Sequence, residues 1–227
     1  MDQMNEVLPG LIRKVVFHIG PIPVTSTVVN TWVVMLVLFL LVFLIRRRGF
    51  EYKPNTSVQA IVEVIVTFFY SMIEQGWGPA GRKYMPLVGS FFTAIFFLNM
   101  SWFIPGFTSP TTDLMMTAAL AVVAIVLVHA MGIRKKGFGG YVRHYITPTP
   151  IMLPMNILEE IIKPFSLAIR LFGNMFGESM VASIMFLLVP LLVPVPVMML
   201  GLLLGTVQAF VFSILVVTYL ATMVEGH

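Results

Sequence analysis

The chain has 227 residues, of which 58% are hydrophobic and 11% are charged, and its mean hydropathy is +0.95. Soluble domains carry roughly 25% charged residues, so this composition indicates an integral membrane protein, and we expect no nucleic-acid partner. Cysteine is absent and the four histidines lack ligand spacing. A disulfide framework and a thiolate metal site are therefore excluded, and we expect neither a metal nor a cofactor.

The first predicted span runs from residue 28 to 45. These 18 residues carry no charge, which is close to the roughly 20 that cross a hydrocarbon core. Three arginines at 46–48 follow directly. Positively charged residues stay in the cytoplasm, so the N-terminus is predicted to lie outside.

Residues 57–75 form a second apolar segment that also contains Gln59, Glu63 and Glu74. A polar, basic stretch, GWGPAGRK, follows it. If this segment crossed the membrane, that basic stretch would lie outside, against the positive-inside bias. We therefore predict an amphipathic helix that lies on the cytoplasmic surface.

Two further spans are predicted over residues 87–104 and 114–133. The second ends at a basic cluster, residues 134–136, which is again placed inside. Glycine and proline are frequent in residues 137–150, and this segment is predicted to be a cytoplasmic loop.

Two long apolar segments, 151–188 and 197–224, complete the chain. Pro190, Pro194 and Pro196 lie between them and disfavour a continuous helix, which predicts a helical hairpin that ends inside. The fold class is thus an all-α integral membrane protein, with about five transmembrane helices and one surface-lying amphipathic helix. We expect residues 1–227 to form one membrane domain.

Arg170 lies deep in the first of these long segments, with apolar sequence on both sides. An arginine at the centre of a span costs about 2.5 to 3.5 kcal/mol and stays charged, so a functional role outweighs snorkelling to the interface. Lys163 lies seven residues earlier, on the same stripe. It is nearer the cytoplasmic end, and we expect it to snorkel. Asn174 shares the stripe of Arg170.

Small residues recur at a spacing of four in both long segments. Gly173 and Gly177 lie in the first, and Gly201 and Gly205 lie in the second. Such rows let helices approach closely, so we expect them to pack the two helices together. This packing brings Gln208 close to Arg170. Gln208 then either holds the helices together by hydrogen bonding or belongs to the ion pathway.

The stretch SLAIRLFGN, residues 166–174, resembles the hallmark of subunit a of the F-type ATP synthases. Other features occur in family order: Asn99, the loop PGFTSPTTD that ends at Asp113, two acids upstream of Arg170, and the motif QAF from Gln208. The C-terminal VVTYLATMVEGH is also similar to the family ending. The resemblance covers nearly the whole chain.

The resemblance implies an ion-translocating stator subunit in a bacterial plasma membrane, with its C-terminus in the cytoplasm. Its partners would be a ring of c subunits, the b-subunit peripheral stalk and the rest of the complex. The family's essential arginine corresponds to Arg170. Ions would use two offset half-channels and ride the ring between them, which couples ion flow to ATP synthesis. The chain is expected to have no catalytic site of its own.

Glu178 departs from the family pattern. Many relatives have a glutamate nine residues after the arginine, whereas Glu178 is at plus eight. One residue rotates a helical side chain by about 100°, so either a local bulge restores the direction or the channel is lined differently. Some relatives have a histidine seven residues before the glutamine, where this chain has Gly201.

Further polar residues have two interpretations. Asp113 is predicted to cap a helix or to line an access channel. Glu159 and Glu160 lie near the start of a helical stretch, where the helix dipole favours negative charge. They would also suit a cytoplasmic exit path for cations. His129, near the cytoplasmic end of its span, is expected to have an interfacial, structural role rather than a relay role.

Two other functional classes compete with the stator. In a free-standing carrier or channel, Arg170 would bind an anion, but the repeated halves of such carriers are missing. An intramembrane hydrolase would need a base near Ser166, Ser179 or Ser183, and no histidine lies at that depth. The coupling ion, H⁺ or Na⁺, stays open at this point.

Overall fold

The structure, a computed structural model, describes residues 15–19, 22–47, 57–104, 107–146, 153–188 and 194–225. A short antiparallel hairpin, β1 (Val15–Ile19) and β2 (Ile22–Thr25), comes first. The α-helices in chain order are α1 (Ser26–Arg47), α2 (Ser57–Trp77), α3 (Met85–Met100), α4 (Leu114–Ile146), α5 (Leu153–Leu188) and α6 (Pro194–Glu225). Short 3-10 segments at Pro79–Tyr84, Ser101–Phe103 and Pro110–Thr112 connect them.

Among the described residues, five helical stretches are long and apolar enough to cross a membrane. They are Ser26–Arg47, Gly81–Phe103, Leu114–Tyr141, Leu153–Leu188 and Val195–Val224. The prediction of an all-α integral membrane protein with five spans is confirmed. Since α5 has 36 residues and is about 54 Å long, it must incline or extend beyond a hydrocarbon core of about 30 Å.

The structure differs from the sequence predictions at three places. The hairpin before α1 was not predicted. The predicted loop is wrong over residues 138–146, because α4 turns at Gly137, with φ of 72°, and its last turns continue to Ile146. Glycine adopts such a positive φ without steric cost. Helix α6 begins at Pro194 and not at the predicted residue 197. Pro194 and Pro196 fit in its first turn, because a missing N–H there breaks no helical hydrogen bond.

Helix α2 buries one stripe of its surface. Phe69, Ile73 and Trp77 are spaced by four residues and are buried. Phe69 meets Phe92 of α3 at 4.7 Å between ring centroids. Glu63 on the same helix is exposed. This one-sided burial is the pattern expected of an amphipathic helix beside the bundle.

Helix α6 is the centre of the bundle and packs against α3, α4 and α5. Its residues Phe212, Val216 and Leu220 are fully buried at a helical spacing of four. Helix α1 lies at the edge, where Val34 and Leu38 pack against Leu98 of α3. Most other apolar side chains of α1 are exposed, as expected for a helix surrounded by lipid.

A buried polar network joins the end of α3 to α6. The Asn99 amide donates to the backbone carbonyl of Gly205 at 2.9 Å. Its oxygen accepts from Thr111 at 2.9 Å, and Thr111 in turn contacts the Ser109 hydroxyl at 2.7 Å. The missing side chain of Gly205 permits this approach, because a Cβ there would lie 3.3 Å from Cβ of Asn99. The network fixes the position of α6 relative to the loop before α4.

We predict that Phe69→Ala loosens α2 from the bundle. Phe69 is 2% exposed, so its removal leaves a cavity and costs about 3 kcal/mol or more. Thermal unfolding in detergent, followed by near-UV circular dichroism, should show a lowered Tm. The matched control is Phe68→Ala on the same helix, which is 53% exposed and should lower the Tm much less. Equal effects of the two variants would contradict the packing described here.

Candidate functional site

Arg170 lies in the interior of α5 on an exposed face. Ile169 and Phe165, which lie on an adjoining side of α5, are also exposed. Within the described part of the chain, the Arg170 guanidinium forms no hydrogen bond or ion pair, although it lies in electrostatic range of Tyr219 on α6. A permanent cation on an apolar surface at this depth is available to an anionic group from outside the chain.

The glycines of α5 do not pack the two long helices together. A Cβ built at Gly173 or Gly177 meets no described atom within 4 Å. The expected role of these two glycines in α5–α6 packing is therefore wrong within this chain. The reason is their position: they lie three and seven residues after Arg170, on the same open face.

The glycines of α6 do allow close approaches. The groups that approach them are side chains of other helices, not the glycines of α5. Gly205 receives Asn99 of α3, and Gly201 receives Glu178 of α5. A Cβ at Gly201 would overlap the Glu178 carboxylate. The carboxylate therefore occupies the space that a side chain on α6 would fill. Its Oε2 atom is buried, and no described residue hydrogen-bonds to it.

Asn174 and Gln208 connect α5 to α6 near Arg170. The Asn174 amide donates to Oε1 of Gln208 at 2.7 Å. Gln208 is 3% exposed, and its Nε2 is buried without a hydrogen-bond partner among the described residues. The predicted proximity of Gln208 to the Arg170 stripe is thus observed, and the contact is a hydrogen bond between side chains.

A second group of charged residues lies where α4, α5 and α6 meet; we call it the Glu160 cluster, made of His129, Glu159, Glu160, Lys163 and Tyr219. Lys163 Nζ lies 2.5 Å from Glu160 Oε1 and 3.4 Å from Glu159 Oε1. It also lies 5.4 Å from the ring centre of Tyr219. His129 Nε2 lies 3.3 Å from Glu160 Oε2.

The expectation that Lys163 snorkels to the interface is wrong. Its side chain is 11% exposed, because Glu160 and the Tyr219 ring enclose the ammonium group. Glu159, at 66% exposed, points away from the interior. A buried cation with a carboxylate partner avoids most of the cost of an unpaired charge.

Asp113 caps the start of α4. Its Oδ1 accepts a hydrogen bond from the backbone N–H of Met115 at 2.9 Å. This contact satisfies one of the free amides of the first helical turn. The capping interpretation is therefore observed, and an access-channel role stays a prediction.

Acidic groups flank Arg170 along α5. Glu160 precedes it by ten residues and Glu178 follows it by eight. At 1.5 Å per residue these are separations of about 15 Å and about 12 Å in opposite directions along the helix. Arg170 therefore stands between two polar regions, the Glu160 cluster and the region of Glu178, Gly201, Asn174 and Gln208.

Tyr219 was not singled out from the sequence. It follows Gln208 by eleven residues, which is three helical turns, so both project from nearly the same face of α6. That spacing was the available signal. Among the described residues, no group of three or more histidine and acidic side chains could hold a metal ion.

Comparison with known proteins gives consistent similarities. A family model described as ATP synthase A chain matches residues 28–221. "ATP synthase subunit a" of Moorella thermoacetica is 51% identical over 212 residues, covering 93% of this chain and 96% of that protein. "ATP synthase subunit a 1" of Hahella chejuensis is 41% identical, covering 93% of this chain and 89% of that protein. "ATP synthase subunit a" of Legionella pneumophila (strain Paris) is 34% identical, covering 96% and 94%.

We predict that cysteines at positions 174 and 208 cross-link. The native chain contains no cysteine, so Asn174→Cys with Gln208→Cys forms the only thiol pair. A short bifunctional thiol reagent should produce an internally linked band, because the native side chains are 2.7 Å apart. The matched pair, Gly173→Cys with Gln208→Cys, should link poorly, since position 173 faces open space. Equal linkage of both pairs would contradict the observed orientation of α5.

We also predict energetic coupling between positions 178 and 201. Gly201→Ala forces the Glu178 side chain out of its place and should cost about 1 to 3 kcal/mol. In a Glu178→Ala background the same change should be almost neutral, because the obstructing carboxylate is gone. The coupling is read from a double-mutant cycle of thermal unfolding in detergent. Additive effects would show that Glu178 does not occupy this space.

Proposed function

This chain belongs to the ATP synthase A chain family, and from that premise we propose that it is the ion-translocating stator subunit in which Arg170 faces the rotor. Subunit a is a multi-pass membrane-sector subunit of the synthase, without a catalytic site of its own, and the family implies a c ring and the rest of the complex as partners. The observation that carries the proposal is the guanidinium on the open face of α5, with which no described residue pairs.

The open face gives room for the c ring. Gly173 and Gly177 present no side chain beside Arg170, and apolar side chains of α6, including Leu203 and Val207, are exposed. An exposed apolar surface around the Arg170 guanidinium suits a protein partner that carries an anionic side chain within the membrane. The ring carboxylate, ionised on reaching this face, would meet Arg170 at close range.

Arg170 would act in two ways. Its fixed positive charge favours the ionised form of a carboxylate that passes it. The same charge repels a cation that would otherwise cross directly from one polar region to the other. Ions are thereby forced to travel on the ring, and this requirement couples their flow to rotation.

The two polar regions on either side of Arg170 are proposed as the ends of two offset half-channels. One contains Glu178, Asn174 and Gln208, and the other is the Glu160 cluster. Asp113, at the start of α4, is assigned to the side opposite the Glu160 cluster. Each region supplies polar atoms in a part of the bundle that is otherwise apolar.

The orientation follows from the basic residues. Arg46 and Arg47 end α1, and residues 134–136 lie near the end of the membrane part of α4. The positive-inside bias assigns both to the cytoplasm of a bacterial plasma membrane, with the N-terminus outside and the C-terminus inside. The Glu160 cluster then lies on the cytoplasmic side. We propose a b-subunit peripheral stalk as a further partner, and H⁺ or Na⁺ as the coupling ion.

Ion flux in proteoliposomes that hold the assembled membrane sector tests this proposal. Protons and sodium are followed separately under an imposed potential, with and without the c ring. We predict that flux needs the ring and that Arg170→Ala abolishes coupled ATP synthesis by the whole complex while permitting leak. Arg134→Ala, an exposed arginine at the end of the same bundle, is the matched control and should retain synthesis.

Transport by the chain alone, with or without Arg170, would overturn the stator proposal. In that case a free-standing carrier or channel would replace it. The ion that permeates the native assembly identifies the coupling ion.

A further inference from the structure

We propose that His129 is a proton-carrying residue of the half-channel that contains the Glu160 cluster, with Glu160 holding its imidazole in place. This inference rests on the proposed function and deepens it, because it makes the proton the ion that passes this point. It differs from the structural role that the position of His129 in the sequence had indicated.

The imidazole of His129 contacts an acid across a helix interface. His129 lies on α4, and its Nε2 is 3.3 Å from Oε2 of Glu160 on α5. The usual donor–acceptor distance of an N–H···O hydrogen bond is only a few tenths of an ångström shorter. Nδ1, the other ring nitrogen, is buried, and no described residue hydrogen-bonds to it. One nitrogen is therefore engaged with an acid while the other has capacity for a proton.

A purely structural ion pair would not need the histidine. Lys163 already neutralises Glu160 through Oε1 at 2.5 Å and leaves Oε2 to His129. Each carboxylate oxygen thus has its own partner, one an ammonium group and one an imidazole that can gain or lose a proton. This division is what a site that repeatedly gains and loses a proton requires.

The formal charges of the cluster allow one additional proton. Glu159, Glu160 and Lys163 together carry a charge of −1, from two carboxylates and one ammonium. A protonated His129 brings the sum to zero. The charged groups that face His129 are Glu160 and Lys163 of α5, while the ring of Tyr141, from the last turns of α4, lies 6.0 Å away edge-on. Protonation of His129 therefore leaves these four side chains without a net charge.

The proton transfer can be written with all bonds balanced. In the neutral ring with its hydrogen on Nε2, Nδ1 has a free lone pair. An arriving proton forms the Nδ1–H bond, which gives the imidazolium. The Nε2–H bond then breaks, its proton forms an O–H bond with Oε2 of Glu160, and the carboxyl releases it to water. Water then takes the hydrogen from Nδ1 while water donates one to Nε2, which restores the first tautomer, and Glu160 is again a carboxylate beside Lys163.

The test uses the complete synthase in proteoliposomes with His129→Ala and His129→Gln. Passive proton flux through the membrane sector, after removal of the soluble catalytic part, is measured under an imposed potential. We expect both variants to reduce the proton flux roughly tenfold, because each lacks the imidazole that can gain and lose a proton. Added imidazole should restore much of the flux to His129→Ala. His18→Gln, at an exposed histidine on β1, is the matched control and should conduct as the native protein does.

Two results would overturn the relay. Glutamine retains an N–H group that can reach Glu160, so native flux in His129→Gln means that only a structural contact is needed. The absence of rescue by imidazole in a correctly assembled His129→Ala complex has the same meaning, and assembly is checked by the amount of c ring that co-purifies. Should His129→Ala fail to assemble, the flux of His129→Gln decides alone.

The same samples separate failure of this inference from failure of the proposed function. If native flux needs the c ring and Arg170 but does not depend on His129, only the relay is wrong. If native flux is independent of the ring, the stator proposal itself falls. Ring-dependent flux of sodium without protons would keep the stator and remove the proton relay.

Discussion

The cost of holding a charge where water is scarce shapes the rest of this structure. Arginine remains ionised at any accessible pH, so the chain cannot avoid the cost at Arg170 by deprotonation. An isolated charge at the centre of a span is unfavourable by a few kcal/mol, and neighbouring groups of this chain do not neutralise it within the described residues. The cost is tolerated on a face of α5 that a partner with an opposite charge can cover.

Several other polar groups in the bundle have partners within the chain. Lys163 is enclosed by Glu160 and Tyr219, Asn99 is satisfied by Gly205 and Thr111, and Asn174 donates to Gln208. These contacts join helices that apolar packing alone would leave free to slide, since lipid and leucine are equally apolar. Arg170 differs from all of them, because no described residue forms a hydrogen bond or ion pair with its guanidinium.

Small residues in this protein have two separate uses. On α6, Gly201 and Gly205 make room for the side chains of Glu178 and Asn99. On α5, Gly173 and Gly177 leave space beside Arg170 that no described atom fills. The shared spacing of four gives no indication of which use applies, because spacing fixes only the face of each helix and not what stands opposite it. The departure of Glu178 from the family spacing is accompanied by a glycine at position 201, which provides the space that the shifted carboxylate occupies.

Hydrophobic length and charge position were sufficient to predict the spans and the exceptional status of Arg170, because the membrane allows few backbone arrangements and penalises each charge strongly. The one-sided polarity of α2 and the cap at Asp113 are also local properties, and both could be read from neighbouring residues. By contrast, the continuation of α4 past Gly137, the enclosure of Lys163 and the contact of His129 with Glu160 depend on how α4, α5 and α6 meet. The sequence by itself determined which residues are costly in a membrane. Only the tertiary structure decided which of them are paired, because pairing depends on distances between helices that no local pattern encodes.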